Sequence, residues 1–306
     1  MTLCFGMHRN ILKVPKKILV TGINGFIGSH LAPGLLEKGY RVIGVDVSYP
    51  KNISKEIKFF RLDLSEDKSY QFLPRDIDII IHLAALMDKA PAGDRLFEVF
   101  KINCLSTLKL LEYARKIKIK KFIFSSTANA IGFRAAAIKE GSRALPEDFY
   151  GLTKYLGETL VNHYRNYFKI TIMRVFFPYG QNQTDSALIP RLLGNFKKNK
   201  EIIIYNQGRN PVLSVIYIED LVSVILKLIN VDLRVINVTS EEKYSILEIC
   251  GLINEKLGIK PRYKFIEDRK KKNMYADLTE LKRFSGYKCK TSLNQGLNII
   301  LGKLNE

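Results

Sequence analysis

Apolar positions along the chain alternate between two rhythms: short β-branched runs, and stretches in which apolar residues return every three or four positions. Ile18, Leu19 and Val20 form the first run, which ends at Gly22, and Phe26, Ile27, Leu31, Leu35 and Leu36 follow at helical spacing. Further runs cover residues 41–45, 57–62 and 77–83, and the last of them is almost unbroken, the pattern of a parallel strand covered on both faces. Residues 95–117 predict a long helix through Phe97, Phe100, Leu105, Leu108, Leu111 and Ala114. A strand over 121–124 closes on Ser125, Ser126 and Thr127. A helix over about 148–168 and a strand over 170–175 come next.

Five or six strands alternating with helices predict an α/β fold, a doubly wound parallel sheet over residues 17–180, with its ligand crevice at the carboxyl ends of the strands. Gly22, Asp46, Asp63, Ala84, Ser125 to Thr127 and Phe176 all fall at those ends. Past Gly180 the rhythm becomes irregular. Helices are predicted at 189–198, 218–229 and 245–257, with short strands at 202–204 and 213–216. Residues 181–306 therefore predict a smaller α/β lobe over the open edge of the sheet, able to interleave with the first domain. Residues 1–16 stand before the first strand as an extension, and no internal repeat is present.

The stretch that dictates most of its surroundings is Lys17-Ile-Leu-Val-Thr-Gly-Ile-Asn-Gly-Phe-Ile-Gly28. Gly22, Gly25 and Gly28, three apart between a strand and a helix, allow a sharp turn, close approach of a ligand to backbone N–H groups, and tight packing of helix on strand. The guest such a turn suits is a pyrophosphate. Asp46 ends the next strand, roughly 20 residues on, where a carboxylate accepts hydrogen bonds from an adenosine ribose.

Composition narrows the picture further. The chain has 306 residues, 46% of them hydrophobic, enough for a sizeable core. Cys4, Cys104, Cys250 and Cys289 are scattered without paired spacing, and the four histidines include no ligand pair. This implies a reduced intracellular protein with no metal site. No apolar run approaches the roughly 18 residues of a membrane span, and residues 1–10 lack a long apolar leader segment, which together imply a cytoplasmic protein. The net charge of +19 has two readings, a polyanion partner or lysines spread over solvated faces. The basic clusters at 116–121, 197–200 and 269–272 are far apart and carry no interleaved aromatics, which favours the second reading and an anionic small substrate.

Tyr150 and Lys154 sit at i and i+4 on one predicted helix. A phenol with its ordinary pKa near 10 is a poor base at neutral pH, and an adjacent ammonium favours the phenolate. The pair suits proton transfer at a substrate hydroxyl while hydride moves at carbon. With Thr21-Gly-Ile-Asn-Gly-Phe-Ile-Gly28, Asp46, Asp63-Leu64, His82-Leu-Ala-Ala85, Asn103, Phe124-Ser-Ser-Thr127, Tyr150-Gly-Leu-Thr-Lys154, Arg174 through Gly180 and Tyr217-Ile-Glu-Asp-Leu221 in order, the chain resembles an extended short-chain dehydrogenase/reductase of the NAD-dependent epimerase/dehydratase family.

That resemblance implies a Rossmann domain binding NAD, catalysis by Tyr150, Lys154 and Thr127, and a homodimer packed through helices near 95–117 and 148–168. It implies a cofactor site of Gly22, Asn24, Gly25, Phe26, Ile27, Gly28, Asp46, Asp63, Leu64, Leu83, Ala84, Ala85, Asn103, Ser125, Tyr150, Lys154 and Phe177. Thr127 would bond the substrate oxygen, with Ser126 as its alternative. Asp46 favours NAD over NADP, because a carboxylate repels a ribose 2′-phosphate.

Sugar-nucleotide dehydratases of this family carry an Asp-Glu pair after the catalytic Thr. Here Ala128-Asn129 stands instead, which leaves the requirements of a C4 epimerase of a nucleotide-activated sugar met and those of elimination unmet. Phe177 and Leu213 occupy positions where relatives grip the diphosphate with Asn and Arg, so Arg191, Arg209 or the 269–272 group become the candidates for that task. Two other readings stay open: an NAD(P)H-consuming reductase of a keto sugar or other carbonyl, and an RNA-binding or scaffold member of the fold.

Overall fold

In a computed structural model of the chain, residues 15–50, 52–87, 95–205, 211–267 and 273–302 are described. Seven strands among them form one parallel sheet: β1 (Lys17–Thr21), β2 (Arg41–Asp46), β3 (Lys58–Arg61), β4 (Ile79–His82), β5 (Lys121–Thr127), β6 (Lys169–Val175) and, far along the chain, β11 (Val235–Val238). Their order is β11-β6-β5-β4-β1-β2-β3, so the direction of winding reverses between β1 and β4, at the place where a crevice opens above the sheet. Three two-stranded pairs lie outside it: β7 (Pro178–Tyr179) with β10 (Ile216–Tyr217), β8 (Glu201–Tyr205) with β13 (Arg262–Ile266), and β9 (Val212–Leu213) with β12 (Tyr244–Ser245).

Alternation along each strand builds two cores. Ile18, Val20, Ile79, Ile81, Ile123 and Met173 point to one face, where Leu31 and Leu35 of α1 (Phe26–Glu37) meet them. Leu19, Ile80, Phe122, Phe124 and Ile172 point to the other face. There Leu110, Leu111 and Ala114 of α3 (Ser106–Ile117) and Val161 of α4 (Phe149–His163) cover them. Because both faces are covered, the central strands carry apolar residues at successive positions rather than alternate ones.

Two findings differ from the sequence expectation. The helix predicted over 95–117 runs as α2 (Leu96–Phe100), a π-turn over Lys101–Leu105, and α3, so one wide turn interrupts the α-helix at Asn103. The sheet has a seventh strand, β11, which pairs with β6 from Val235↔Ile172 to Val238↔Val175. The chain past Gly180 also supplies α6 (Ile218–Leu228), which packs on α1: a methyl added at Gly34 would stand 3.1 Å from Leu226. The later third of the chain is thus built into the first core.

Among the remaining helices, two carry caps legible in the sequence. α5 (Leu188–Lys197) is amphipathic, α7 (Ile246–Leu257) starts with a capping box between Ser245 and Glu248, and α8 (Thr279–Ser285) ends at Gly286 in the left-handed region. The start of α9 (Leu293–Gly302) is held through the segment before it, where buried Asp220 of α6 accepts the Lys290 and Thr291 N–H groups at 3.1 and 2.9 Å. No helix among the described residues is long and apolar enough to cross a membrane.

Candidate active site

The glycine turn is built by contacts that only glycine permits. Gly22 has φ +68°, and a Cβ there would lie 2.7 Å from Ala84 N. A Cβ at Gly28 would stand 2.3 Å from Gly22 O, so α1 sits directly against the turn. Gly25 is different: it is exposed, and a Cβ on it would meet only Gly22 O, at 3.1 Å. Gly25 is also the N-cap of α1, which has no side-chain cap and no acidic residue in its first turn. The first N–H groups of α1 and its positive dipole end therefore face open space.

That space continues as a cavity of about 350 Å³ along the carboxyl ends of β1, β2, β3 and β4. Of the residues assigned to the cofactor from sequence, Gly22, Asn24, Gly25, Asp46, Asp63, Leu64, Leu83, Ala84 and Ala85 line it together. Asp46 is held in place rather than free to swing: Oδ2 accepts Asn24 N at 3.0 Å, and Oδ1 accepts the Ser48 N–H and hydroxyl at 3.1 and 3.0 Å. Ser65 N caps Asp63 Oδ1 at 2.8 Å. Open amides at one end and a fixed carboxylate at the other fit the pyrophosphate and adenosine ribose of a dinucleotide.

Val47, Ser48, Leu62, Ser65, Leu86, Ile102 and Ser106 also line this cavity, and sequence reading missed them. The first five adjoin or nearly adjoin predicted residues and could have been found from that adjacency. Ile102 and Ser106 arrive from the π-turn and α3, a placement that no local signal announces.

The second group of site residues is assembled by α4. Asp148 caps the helix by accepting Gly151 N at 2.5 Å, and a Cβ at Gly151 would lie 2.4 Å from Asn129 O. This contact presses the first turn of α4, which carries Tyr150, against the turn that follows Thr127 at the end of β5. Thr127 Oγ1 accepts Asn129 N at 3.3 Å and keeps its own proton to donate. Lys154, one turn further along, is 2% exposed, with Nζ 4.2 Å from the centre of the Phe124 ring.

The spacing predicts that Lys154 lowers the Tyr150 pKa; in the protein alone the phenol is raised, first by burial and then by the Asp148 carboxylate. Burial also presses Lys154 down to about 8, against the raising influence of Glu158 and Cys104. Removal from water disfavours the charged form of each group, phenolate and ammonium alike.

Other assigned residues are placed differently. Ser126 points to the face covered by α4, where its hydroxyl donates to Glu158 Oε1 at 2.5 Å inside a buried Glu158–Arg174 ion pair. As the alternative to Thr127 it is therefore already engaged. Ser125 is half-buried on the opposite face of β5, and Phe177 adopts φ +32° before Pro178 with its ring packed on the core. Phe26 and Ile27 pack on the same core, and a Cβ at Gly180 would stand 3.4 Å from Phe26.

Asn103 is 1% exposed and joins two parts of the site. It accepts Leu86 N at 2.8 Å and donates to Leu86 O and to Thr153 Oγ1 at 2.9 and 3.0 Å. Arg191 is exposed on α5, away from the cavity lining. Arg209 and residues 269–272 lie outside the described residues, as do residues 1–14 of the extension. No cluster of three potential metal ligands occurs among the described residues.

A family model described as the NAD dependent epimerase/dehydratase family matches residues 18–239. An uncharacterised UDP-glucose epimerase of Bacillus subtilis is 30% identical over 303 residues, which cover 92% of this chain and 95% of that protein. The UDP-glucuronic acid 4-epimerase of Bacillus cereus, solved with UDP-glucuronic acid and NAD, superposes with a TM-score of 0.85 at 29% identity, covering 94% of this chain and 99% of its own. The UDP-glucose 4-epimerase of Thermotoga maritima, solved with UDP-glucose, gives 0.84 at 29% identity over 94% and 98% of the two chains. From the glycine turn through the Tyr150 helix to the strands past Gly180, the chain belongs to the NAD-dependent epimerase/dehydratase family.

Proposed function

We propose that the protein is an NAD-dependent epimerase of a nucleotide-activated sugar, inverting the carbinol at C4. One arrangement carries this reading. Tyr150 and Lys154, a turn apart on α4, stand with Thr127 at the carboxyl edge of the sheet whose crevice fits a dinucleotide. The glycine turn and Asp46 would hold NAD, which would supply the hydride acceptor and donor for the carbinol carbon. Tyr150 takes the hydroxyl proton and gives it back, Thr127 donates to the substrate oxygen, and Lys154 supplies the charge that favours the phenolate. The phenol, with its pKa raised, keeps its proton for the acid half of the cycle, and the proposed role of Lys154 belongs to the base half.

Inversion needs no further proton carrier. Ala128 is buried, and Asn129 donates from Nδ2 to Asp148 Oδ2 at 2.9 Å, so neither supplies a group for removing water. The names of the similar proteins, two of them 4-epimerases of UDP-sugars, support the same reaction class. The test is to identify any nucleotide that copurifies and to assay UDP-, GDP- and dTDP-sugars for epimer formation without added NADH. Epimer formation is expected, and Tyr150→Phe should lower turnover by about 10²- to 10⁴-fold. Net consumption of NADH would instead indicate a reductase, and full turnover by Tyr150→Phe would remove Tyr150 from the chemistry.

The chain is proposed to work as a homodimer. Phe97, Phe100 and Leu105 before α3, with Leu152 and Tyr155 on α4, are large apolar side chains left at the surface of adjacent helices, and Phe97 is 79% exposed. Two such pairs of helices facing each other would bury them in a four-helix contact. Sedimentation should show a dimer for the native chain and a shift to monomer for Phe97→Glu combined with Leu152→Glu. A monomeric native chain at micromolar concentration would refute the dimer.

A further inference from the structure

His82 takes no part in the proposed chemistry, yet it lies at the centre of the longest line of buried hydrogen bonds in the site. It is the last residue of β4, in register with Thr21 of β1 on one side and Phe124 of β5 on the other. Its Nδ1 is 2.6 Å from Thr21 Oγ1 and its Nε2 is 2.9 Å from Thr107 Oγ1. Thr107 in turn donates to Asn103 O at 2.6 Å, and Ala84 N donates to Thr21 Oγ1 at 3.2 Å. Thr21, His82 and Thr107 are each no more than 1% exposed, so water does not complete their bonding.

Counting protons fixes the direction of every bond. A hydroxyl has one proton, and that of Thr107 goes to the Asn103 carbonyl, which can only accept; the bond to His82 must therefore be donated by Nε2–H. A neutral ring protonated at Nε2 accepts at Nδ1, which takes the Thr21 proton, while a Thr21 lone pair takes the Ala84 amide. Every donor and acceptor is then served. An imidazolium would turn Nδ1 into a donor and leave the Thr21 proton with no acceptor among the described residues. Burial, with the Lys154 cation nearby, acts the same way and holds the imidazole down to about 3.

The line does not end at Asn103. Its side chain brackets Leu86 through both N–H and C=O and reaches Thr153 Oγ1, which donates to Tyr150 O at 2.8 Å. Asn103 lies in the π-turn, where its carbonyl accepts the Thr107 hydroxyl one turn on while its side chain reaches Thr153 of α4. Ala84 and Leu86 line the dinucleotide cavity, and Tyr150 is the proposed acid and base.

We propose that His82 is a positioning residue, a neutral imidazole protonated at Nε2 that locks the Ala84–Leu86 segment to Asn103 and Thr153, so that the dinucleotide seat and the Tyr150 helix keep one spacing. The inference rests on the reading of the cavity as an NAD site. It is read with the full chain in two ways: the histidine tautomer from a ¹⁵N-edited spectrum, and NAD affinity by equilibrium dialysis for His82→Phe, His82→Gln and Thr107→Val.

The expected spectrum shows His82 with its proton on Nε2. His82→Phe and Thr107→Val, which break the line at different points, should each weaken NAD binding about tenfold and lower kcat while leaving the sugar KM in place. The double variant should be no worse than either single one, and His82→Gln, which keeps one acceptor and one donor, should recover most of the affinity. A proton on Nδ1, or NAD affinity and kcat unchanged in Thr107→Val with only its melting temperature lowered, would overturn the proposal. Should His82→Phe fail to fold, Thr107→Val and the native spectrum decide. Failure of the native chain itself to bind NAD would instead overturn the cofactor reading, and the tautomer is measured without it.

Discussion

Lys154 is the residue at which function and stability oppose each other. Its ammonium is buried over Phe124, and its pKa is pressed from 10.5 to about 8, which at roughly 1.4 kcal/mol per pH unit corresponds to a penalty of about 3 kcal/mol at neutral pH. The sign follows from proton binding. Between about 8 and 10.5 the unfolded chain holds the proton that the folded one has released, so this penalty fades as pH rises through that window. Lys154→Met should therefore raise stability at pH 7 by about 2 kcal/mol while abolishing turnover, and its advantage in thermal melts should shrink towards pH 10. A loss of stability at pH 7 would show that the ammonium is better satisfied than its burial implies. In the native enzyme, turnover should fall above about pH 8 as the ammonium is lost. Tyr150 and Lys154 were legible from sequence because a four-residue spacing on a helix is local. The engagement of Ser126 was not legible: three hydroxyl residues in a row, Ser125 to Thr127, give no sign of which face α4 will cover.

The glycine turn separates structural from ligand-driven choices within one element. A methyl at Gly28 would meet Gly22 O at 2.3 Å and Ile23 Cα at 2.7 Å, both backbone atoms that cannot yield without moving α1 off β1. Gly28→Ala should cost about 2 kcal/mol or more in denaturant unfolding. Gly25→Ala should cost about 1 kcal/mol or less, since only Gly22 O approaches its methyl, yet it should weaken NAD binding by about tenfold because the methyl stands over the open amides of α1. Equal stability losses in the two variants would contradict the assignment. The motif announced the turn, and the structure distinguishes Gly28, whose methyl position is filled by backbone, from Gly25, whose methyl position is largely open. The π-turn at Asn103 stayed hidden for a similar reason: one extra residue barely disturbs apolar spacing over 22 positions, yet it changes which way an asparagine faces.

At the scale of the whole molecule the chain folds back into its own first half. β11 extends the sheet beyond β6, α6 covers α1, and Asp220 on α6 holds the segment that leads into α9. A chain ended at Gly180 would leave the β6 edge unpaired and the outer face of α1 bare. It is expected to show no cooperative melting transition by circular dichroism, while the full chain unfolds in a single transition. Independent folding of residues 1–180 would show that the first domain needs no partner. A four-residue strand such as Val235-Ile-Asn-Val238, with a polar residue inside it, is too short to reveal the sheet it joins.

The sequence by itself determined the alternation of strands and helices, the glycine turn, and the placing of Tyr150 and Lys154 one turn apart on a helix, because each depends on residues close together in the chain. Only the tertiary structure decided that β11 completes the sheet, that Ile102 and Ser106 wall the cavity, that Ser126 bonds into an ion pair, and that burial shifts the pKa values of Tyr150, Lys154 and His82. Those outcomes depend on which distant segment excludes water from a given face, and solvent exclusion is a property of the assembled chain.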